Sequence, residues 1–465
     1  MNVKEKKKRK FAVPHTYVLL FVMVAICGLM TWIIPAGEYD RIEDPGTGRM
    51  VIDAASFHFT DGGNLGIFDI MKEFMTGMVS SGDIIFLIFV MGGSFMILQN
   101  TGALSAGVHA IARKFGKKQN IVLILFMFLF SLLGGTIGVA EELIVFIPLL
   151  VMLCNELKLD RIVALAVCMV GARIGFTTGL LNPFTVGVAQ SLAGLDLYSA
   201  LSYRLIWYGI IFVFTCWYVI HYANKIKKDP TKSLMYGVMI EGDDEIDEEV
   251  PMTKGRLCVI VGFAVTLIVM IYGVFNSGWY MTEIATAFLI LGILSGIVTG
   301  MKGNEIAKSF VNGAKDMVFA ALVVGVAKAI LLTLQDGNII DTVIFYASSV
   351  LGNMPKVLAA NGMYVFQLLL NFLIPSGSGQ AAATMPIMAP LADTLGITRQ
   401  TAVLAFHYGD GFTNLIAPTV GALMACIAVS KVPFEKYLKW VAPLLAFWVA
   451  MGFLSVTVAT IINLP

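Results

Sequence analysis

The chain has 465 residues, of which 58% are apolar and only 14% charged, with a formal net charge of +1 and a mean hydropathy of +0.82. A soluble domain carries about 25% charged residues, so this composition excludes a soluble globular protein and points to an integral membrane protein. The near-neutral total hides a basic start, "KEKKKRK" at 4–10, and an acidic run, "EGDDEIDEE" at 241–249. Net charge therefore carries no message about nucleic acid, and the local pattern serves to orient the chain in a bilayer.

Residues 1–15 read as a cytoplasmic basic tail and 16–82 as a first span, about 16–34, followed by an external segment. The apolar run from Tyr17 to Ile34 exceeds a signal-peptide core and leads into "PAGEYD" without a small-x-small cleavage site, which reads as a retained signal anchor. A second span at about 83–99 returns to "ARKFGKKQ", basic as the positive-inside rule requires. The remaining lysine clusters are "NKIKKDPTK" (224–232), "KGNEIAK" (302–308) and "KVPFEKYLK" (431–439). They share the cytoplasmic side only if the apolar segments 120–155 and 361–393 each enter and leave on one side. Those segments are then re-entrant hairpins, the first opening inward and the second outward, with tips at "GGTIGVAEE" (134–142) and "IPSGSGQ" (374–380). Irregular backbone at that depth is tolerated only where protein or a water-filled cavity covers it.

At an offset of 238, Pro148, Leu157, Arg161, Ala164 and Gly171 match Pro386, Leu395, Arg399, Ala402 and Gly409, after which "GFTTGLLNP" (175–183) aligns with "GFTNLIAP" (411–418) with one gap. The apolar matches weigh little in a membrane protein; the hairpin, Arg, Gly-Phe-Thr and Pro in one order weigh more. The expected organisation is all-α and polytopic, with about nine spans. A first repeat covers 83–223 with its hairpin at about 120–155, a cytoplasmic loop 224–255, connecting spans 256–300, and a second repeat 316–462 with its hairpin at about 361–393. The two copies lie in opposite orientations, the inverted-repeat arrangement of secondary transporters, whose sites form where discontinuous helices meet.

Taken together, "TWIIPAGEYDR", "GGTIGVAEE", "PSGSGQ" and "GDGFTNLIAPT" resemble the YfcC branch of the carriers related to the anaerobic C4-dicarboxylate and arginine–ornithine exchangers, within the ion transporter superfamily. The resemblance covers nearly the whole chain. It implies a scaffold domain, a mobile transport domain holding both hairpins and two broken helices, dimerisation through the scaffold, and an elevator-type movement in the cell membrane, the inner membrane in a Gram-negative organism. It leaves the substrate open between dicarboxylates and basic amino acids.

An ionisable side chain at the bilayer centre costs about 2.5–3.5 kcal/mol on insertion scales and is a functional candidate by default. Glu141 and Glu142 stand at the first tip, Arg173 precedes the first Gly-Phe-Thr break, and His407 and Asp410 precede the second. For the glutamates a structural ion pair with Arg173 competes with binding of a substrate amine, a proton or Na⁺. For Asp410 a local helix cap competes with cation coordination alongside Thr413 and Asn414. His407 reads equally as a proton relay or a core histidine. At the second tip, Ser376, Gly377, Ser378, Gly379 and Gln380 offer N–H groups and hydroxyls at the start of a half-helix, where a carboxylate is favoured. Thr177, Thr178 and Asn182 are the neutral polar groups of the first copy, suited to Na⁺. Lys328, in "GVAKAILLTL", reads as a snorkelling or structurally paired lysine. The six cysteines form no Cys-x-x-Cys pair, so neither a disulfide framework nor a zinc site is indicated, and they read as thiols packing among apolar side chains.

"SGSG" and "YGDG" resemble intramembrane protease motifs only superficially, since the Gly-x-Ser-Gly order and a second Tyr-Asp pair are missing. A channel lined by hairpins is the harder alternative, decided by whether flux saturates. No Gly-x-x-x-x-Gly-Lys loop indicates ATP as direct energy source. The expected function is a non-enzymatic, Na⁺- or H⁺-coupled symport or antiport of a small carboxylate-bearing metabolite. An amino acid, basic ones included, is favoured over a C4-dicarboxylate because Glu141, Glu142 and Asp410 outnumber Arg173. The lysine distribution sets an orientation: single cysteines placed in 224–255 are expected to resist impermeant thiol reagents in whole cells and those in 276–281 to react, and labelling of the acidic loop from outside would reverse it.

Overall fold

The computed structural model describes residues 16–43, 50–115, 118–238, 251–277, 279 and 281–465. The basic tail, residues 44–49, 116 and 117, the whole of the acidic run and residues 278 and 280 lie outside them. Among the described residues seven helices are long and apolar enough to span a membrane, which takes about 20 residues for a hydrocarbon core of about 30 Å.

Helix α1 (Thr16–Ile33) is followed by two short antiparallel ribbons, β1 (Gly37–Glu38) with β4 (His58–Phe59) and β2 (Arg41–Glu43) with β3 (Met50–Ile52). Then come α2 (Ile67–Ser80), α3 (Gly82–Asn100), α4 (Ala103–Phe115) and α5 (Gln119–Ile137). A 3-10 turn (Glu141–Phe146) leads into α6 (Ile147–Glu156). Helix α7 (Arg161–Leu165) passes through a π turn (Ala166–Val170) into α8 (Gly171–Thr178), and α9 (Val186–Leu192) and α10 (Leu201–Lys228) follow. The second half holds α11 (Lys254–Ser277), α12 (Met281–Val298), α13 (Gly303–Asp316), α14 (Val318–Asp336), α15 (Ile340–Leu351), α16 (Lys356–Leu370), α17 (Gly377–Thr394), α18 (Arg399–Thr413), α19 (Gly421–Ser430) and α20 (Phe434–Ile461).

Two of these helices depart from the sequence reading. Helix α2 lies in the stretch taken as an external segment, and α13 in the stretch taken as a lysine-bearing loop. Both are amphipathic, so a hydropathy scan passes over them, yet each closes its own N-terminus. The Gly66 N–H donates to Asp69 Oδ2 (3.1 Å) and the Lys302 N–H to Glu305 Oε2 (2.8 Å), the acidic half of a capping box. Helix α2 packs on α14, and α13 on α3.

Helices meet backbone to backbone where glycine removes the Cβ. Gly171 and Gly175 of α8 form a Gly-x-x-x-Gly face on α5; a Cβ on Gly175 would strike the Ser131 carbonyl and come within 2.7 Å of the Gly135 nitrogen. Gly409 of α18 lies in the same way against Gln367 of α16, where its Cβ would stand 2.9 Å from backbone. The long helices α10 and α20 are tied antiparallel by three rungs: Tyr203 O–H to the Ser455 carbonyl (2.6 Å), Trp448 Nε1–H to Thr215 Oγ1 (3.0 Å) and Tyr218 O–H to the Trp440 carbonyl (2.7 Å). The β ribbons cover α15 through the Arg41–Asp341 pair, beside a stacked Phe57–Phe345 contact at 4.1 Å, and β3 packs on α17.

Overpacking in a core costs about 1–3 kcal/mol or more, and at Gly175 the obstacle is backbone. Gly175→Val is therefore expected to lower the yield of monodisperse protein sharply, while Gly209→Val, where a Cβ meets open space, is expected to leave it unchanged; size-exclusion profiles of the two check this.

Candidate functional site

Four helices stop inside the molecule. Helices α5 and α8 end at Gly138 (φ 67°) and Gly179 (φ 64°), the left-handed C-terminal position that only glycine takes at no cost. The partner half-helices start at the 3-10 turn and at α9. In the second half of the chain α16 gives way to α17 across 371–376, and α18 to α19 across 414–420.

These breaks converge. A Cβ on Gly138 would lie 2.9 Å from Asn182 Oδ1, one on Gly411 2.7 Å from Thr177 Cβ, and one on Gly377 2.5 Å from Thr185 Cγ2 and 3.1 Å from Asp410 Oδ2. Gly179 lies against the His407 ring. The breaks at 371–376 and 414–420 are joined by Asn371, whose Nδ2 donates to Thr413 Oγ1 (2.8 Å) and Asn414 Oδ1 (2.9 Å). Arg173 is buried, its guanidinium 4.8 Å above the Phe176 ring and within electrostatic reach of both Glu141 and Asp410.

The structure separates roles that the sequence left joined. Glu142 Oε2 accepts the Ala140 N–H at 3.0 Å, so this acid caps its own turn, while Glu141 is the glutamate that faces Arg173 electrostatically. Asp410 lies within α18 rather than at its N-terminus, is 0% exposed, and neither carboxylate oxygen has a hydrogen-bond partner among the described residues. A carboxylate so buried is costly unless it is protonated or meets a cation. Asn182 Oδ1 accepts the Phe184 N–H (2.9 Å) and leaves its Nδ2 unpartnered. Thr177, Thr178 and Thr413 donate to carbonyls of their own helices, at 3.4, 2.8 and 3.1 Å, which leaves the oxygen lone pairs of Thr177 and Thr178 for a cation, while Thr413 Oγ1 already accepts from Asn371.

At the second tip Ser376 is exposed and its Oγ accepts the Gly379 N–H (3.3 Å), with Gly377 and Ser378 in the first turn of α17. Gln380 turns away from the tip, its Nε2 donating to the Gln367 carbonyl (3.0 Å) and Oε1 (2.7 Å). Residues the sequence reading passed over also belong here: Asn371, Thr185, and Arg204, which is fully buried and donates to the Ser199 carbonyl at 2.6 Å. An asparagine at the end of an apolar run was the available signal for Asn371; Thr185 and Arg204 gave none, since only tertiary packing brings them in.

Such apolar helices with a buried polar centre make a multi-pass membrane protein, and comparison with known families makes it a transporter. The model of the C4-dicarboxylate anaerobic carrier family, DcuC, matches residues 13–461, and the chain belongs to that family. It is 32% identical to the "Putative basic amino acid antiporter YfcC" of Escherichia coli strain K12, over 96% of each chain. It is 28% identical to an uncharacterized protein of Haemophilus influenzae, over 96% of this chain and 97% of that one. Among solved structures, the YdaH transporter of Alcanivorax borkumensis aligns with 97% of this chain and 99% of its own, at 14% identity and a TM-score of 0.44. The antimetabolite efflux pump MtrF of Neisseria gonorrhoeae aligns with 97% and 96%, at 16% identity and a TM-score of 0.42.

The two tip glycines have unequal room. A side chain on Gly377 meets Thr185 and Asp410, whereas a Cβ on Gly379 meets only the movable Ser376 side chain at 3.2 Å. Gly377→Val is expected to abolish ligand-induced thermal stabilisation by L-arginine or succinate with normal purification yield, and Gly379→Val to weaken it less; failure of both to fold would assign the tip to packing.

Proposed function

We propose that this chain is a secondary active transporter of a small carboxylate-bearing metabolite, with amino acids, basic ones included, favoured over dicarboxylates and Na⁺ or H⁺ as coupling ion. The observation that carries the reading is Asp410, a buried carboxylate without a hydrogen-bond partner at the meeting of four helix breaks, sharing one arginine with Glu141. Two acids set against one buried guanidinium leave the centre favourable to an ammonium group or a monovalent cation, and the start of α17 favours the carboxylate of the same ligand.

An inverted repeat with alternating access is part of this proposal, and several features support it. Helices α2 and α13 both have 14 residues, α3 and α14 both 19, and α10 and α20 both 28, in the same order along the chain. Asp69-Ile70-x-Lys72-x-Phe74-x-x-Gly77 matches Glu305-Ile306-x-Lys308-x-Phe310-x-x-Gly313, which extends the repeat upstream to α2 and α13. The matched arginines make reciprocal bonds, Arg161 Nη1 to the Ser430 carbonyl at the end of α19 (3.1 Å) and Arg399 Nη1 to the Ala193 carbonyl at the end of α9 (2.8 Å). We take α5–α9 and α16–α19 as the body that moves, carrying both hairpins, and the remaining helices as the scaffold through which two copies associate.

The second reading, a C4-dicarboxylate carrier, is favoured by the family's description. Proteoliposome uptake with L-arginine and succinate separates the two. Loss of a charge-assisted hydrogen bond removes about 1.5–3 kcal/mol, so Asp410→Asn and Glu141→Gln are expected to weaken arginine roughly tenfold or more. If both variants handle arginine normally, or either takes up succinate more tightly than wild type, the dicarboxylate reading replaces the amino-acid one.

A further inference from the structure

A cavity of about 500 Å³ opens between α14, the β ribbons and the start of α17, and its polar lining includes Arg41, Lys328, Gln335, Asn338, Asp341 and Ser376. The one acid among these is already engaged. Asp341 accepts from Arg41 Nη2 at both carboxylate oxygens (3.1 and 2.8 Å) and from the Tyr39 N–H (3.0 Å). Lys328 is different. Among the described residues no hydrogen bond or ion pair reaches it, and Val324, Gly325, Leu331 and Leu332, one turn away on α14, are apolar. It lies eight residues before the end of α14 at Asp336, about 12 Å of helix, so its ammonium reaches water through this cavity rather than past the helix end. The repeat does not require a lysine there, because the matched position of α3 is Gly92, whose bare backbone lets α13 approach. An uncompensated cation in the middle of an apolar helix is costly to keep and marks a functional position.

Facing Lys328 across the same cavity is the N-terminus of α17, with Ser376 and Gly379 in the wall. Behind that tip, against Gly377, Thr185 Oγ1 has no hydrogen-bond partner among the described residues although the side chain is 1% exposed. An uncompensated ammonium and a helix N-terminus on one cavity, with an unfilled hydroxyl behind the tip, share one complementary ligand chemistry, a carboxylate.

We propose that Lys328 is a substrate-binding side chain that, with the start of α17, holds the ligand's carboxylate in this cavity before the ligand's other end reaches Asp410. This rests on the reading of the helix breaks as the substrate site, and it names the partner of the ligand group that Asp410 cannot hold. Because Lys328 belongs to α14 and the tip to the hairpin, the carboxylate is gripped from both bodies in this state and from the hairpin alone once they move apart.

The test uses the full-length, detergent-solubilised protein and titration calorimetry with L-arginine and with succinate. For whichever of them binds wild type, Lys328→Gln is expected to weaken binding roughly tenfold or more and to flatten its dependence on salt, while Lys328→Arg retains both, all three proteins giving the same size-exclusion profile. Wild-type affinity in Lys328→Gln overturns the role of Lys328 and leaves the transporter reading standing. Equal loss in Lys328→Arg and Lys328→Gln makes the lysine a packing element and also overturns it. Binding of neither probe to wild type removes the carboxylate class, and the proposal falls together with the substrate reading.

Discussion

Four helices that stop inside an apolar slab release backbone donors and acceptors that water cannot reach, and the centre of this protein is organised by the need to meet them. An unpaired amide in such surroundings costs about 2–7 kcal/mol. The breaks are answered locally: Leu181 N–H on the Gly135 carbonyl (2.7 Å), Phe184 N–H on Asn182, Ala140 N–H on Glu142 and Gly379 N–H on Ser376. What stays unanswered is side-chain chemistry. Among the described residues Asp410, Arg173 Nε, Asn182 Nδ2 and Thr185 Oγ1 find no hydrogen-bond partner at the same place. A backbone satisfied from within and side chains left open is the pattern of a site shaped for something that arrives from outside.

The two halves solve the problem by different means. The first ends its helices on left-handed glycines, Gly138 and Gly179, and meets the N–H groups just beyond them with the Glu142 and Asn182 side chains. The second has no such glycine at its breaks and uses the Asn371, Thr413 and Asn414 cluster instead. The charge is divided as well: the first half contributes Arg173 and Glu141, the second Asp410. Asp410 meets its cation only across the boundary between the halves, so the tight approach of Gly411 to Thr177 matters for chemistry as well as for packing.

Much of this was legible in the sequence. Glycines, serines and acids interrupting apolar runs can be explained at membrane depth only by helix breaks, and the positions of those breaks follow directly. Helices α2 and α13 escaped because their charges dilute the hydropathy signal; the Asp69 and Glu305 capping boxes were the local cue. The distinction between Glu141 and Glu142 escaped for another reason. Adjacent identical residues differ only through the 3-10 turn that sends one back to Ala140. Asp410 was readable as either a cap or a cation ligand, and its position inside α18 removes the first option. Arg204 and Thr185 depend on contacts between distant segments, which no local pattern encodes.

The rungs between α10 and α20 have a consequence for how the protein sits in its bilayer. Each helix is 28 residues long, about 42 Å, against a hydrocarbon core of about 30 Å. Because they run antiparallel, Lys225, Lys227 and Lys228 at the end of one adjoin Lys436 and Lys439 at the start of the other, whereas the opposite ends, at Leu201 and Ile461, present no exposed charge, Arg204 being buried. The surplus length therefore emerges at one face only, as a basic collar suited to anionic headgroups. With the collar held at the lipid surface, the pair is fixed in depth, and a thicker or thinner membrane acts on its uncharged ends rather than on the broken helices beside it.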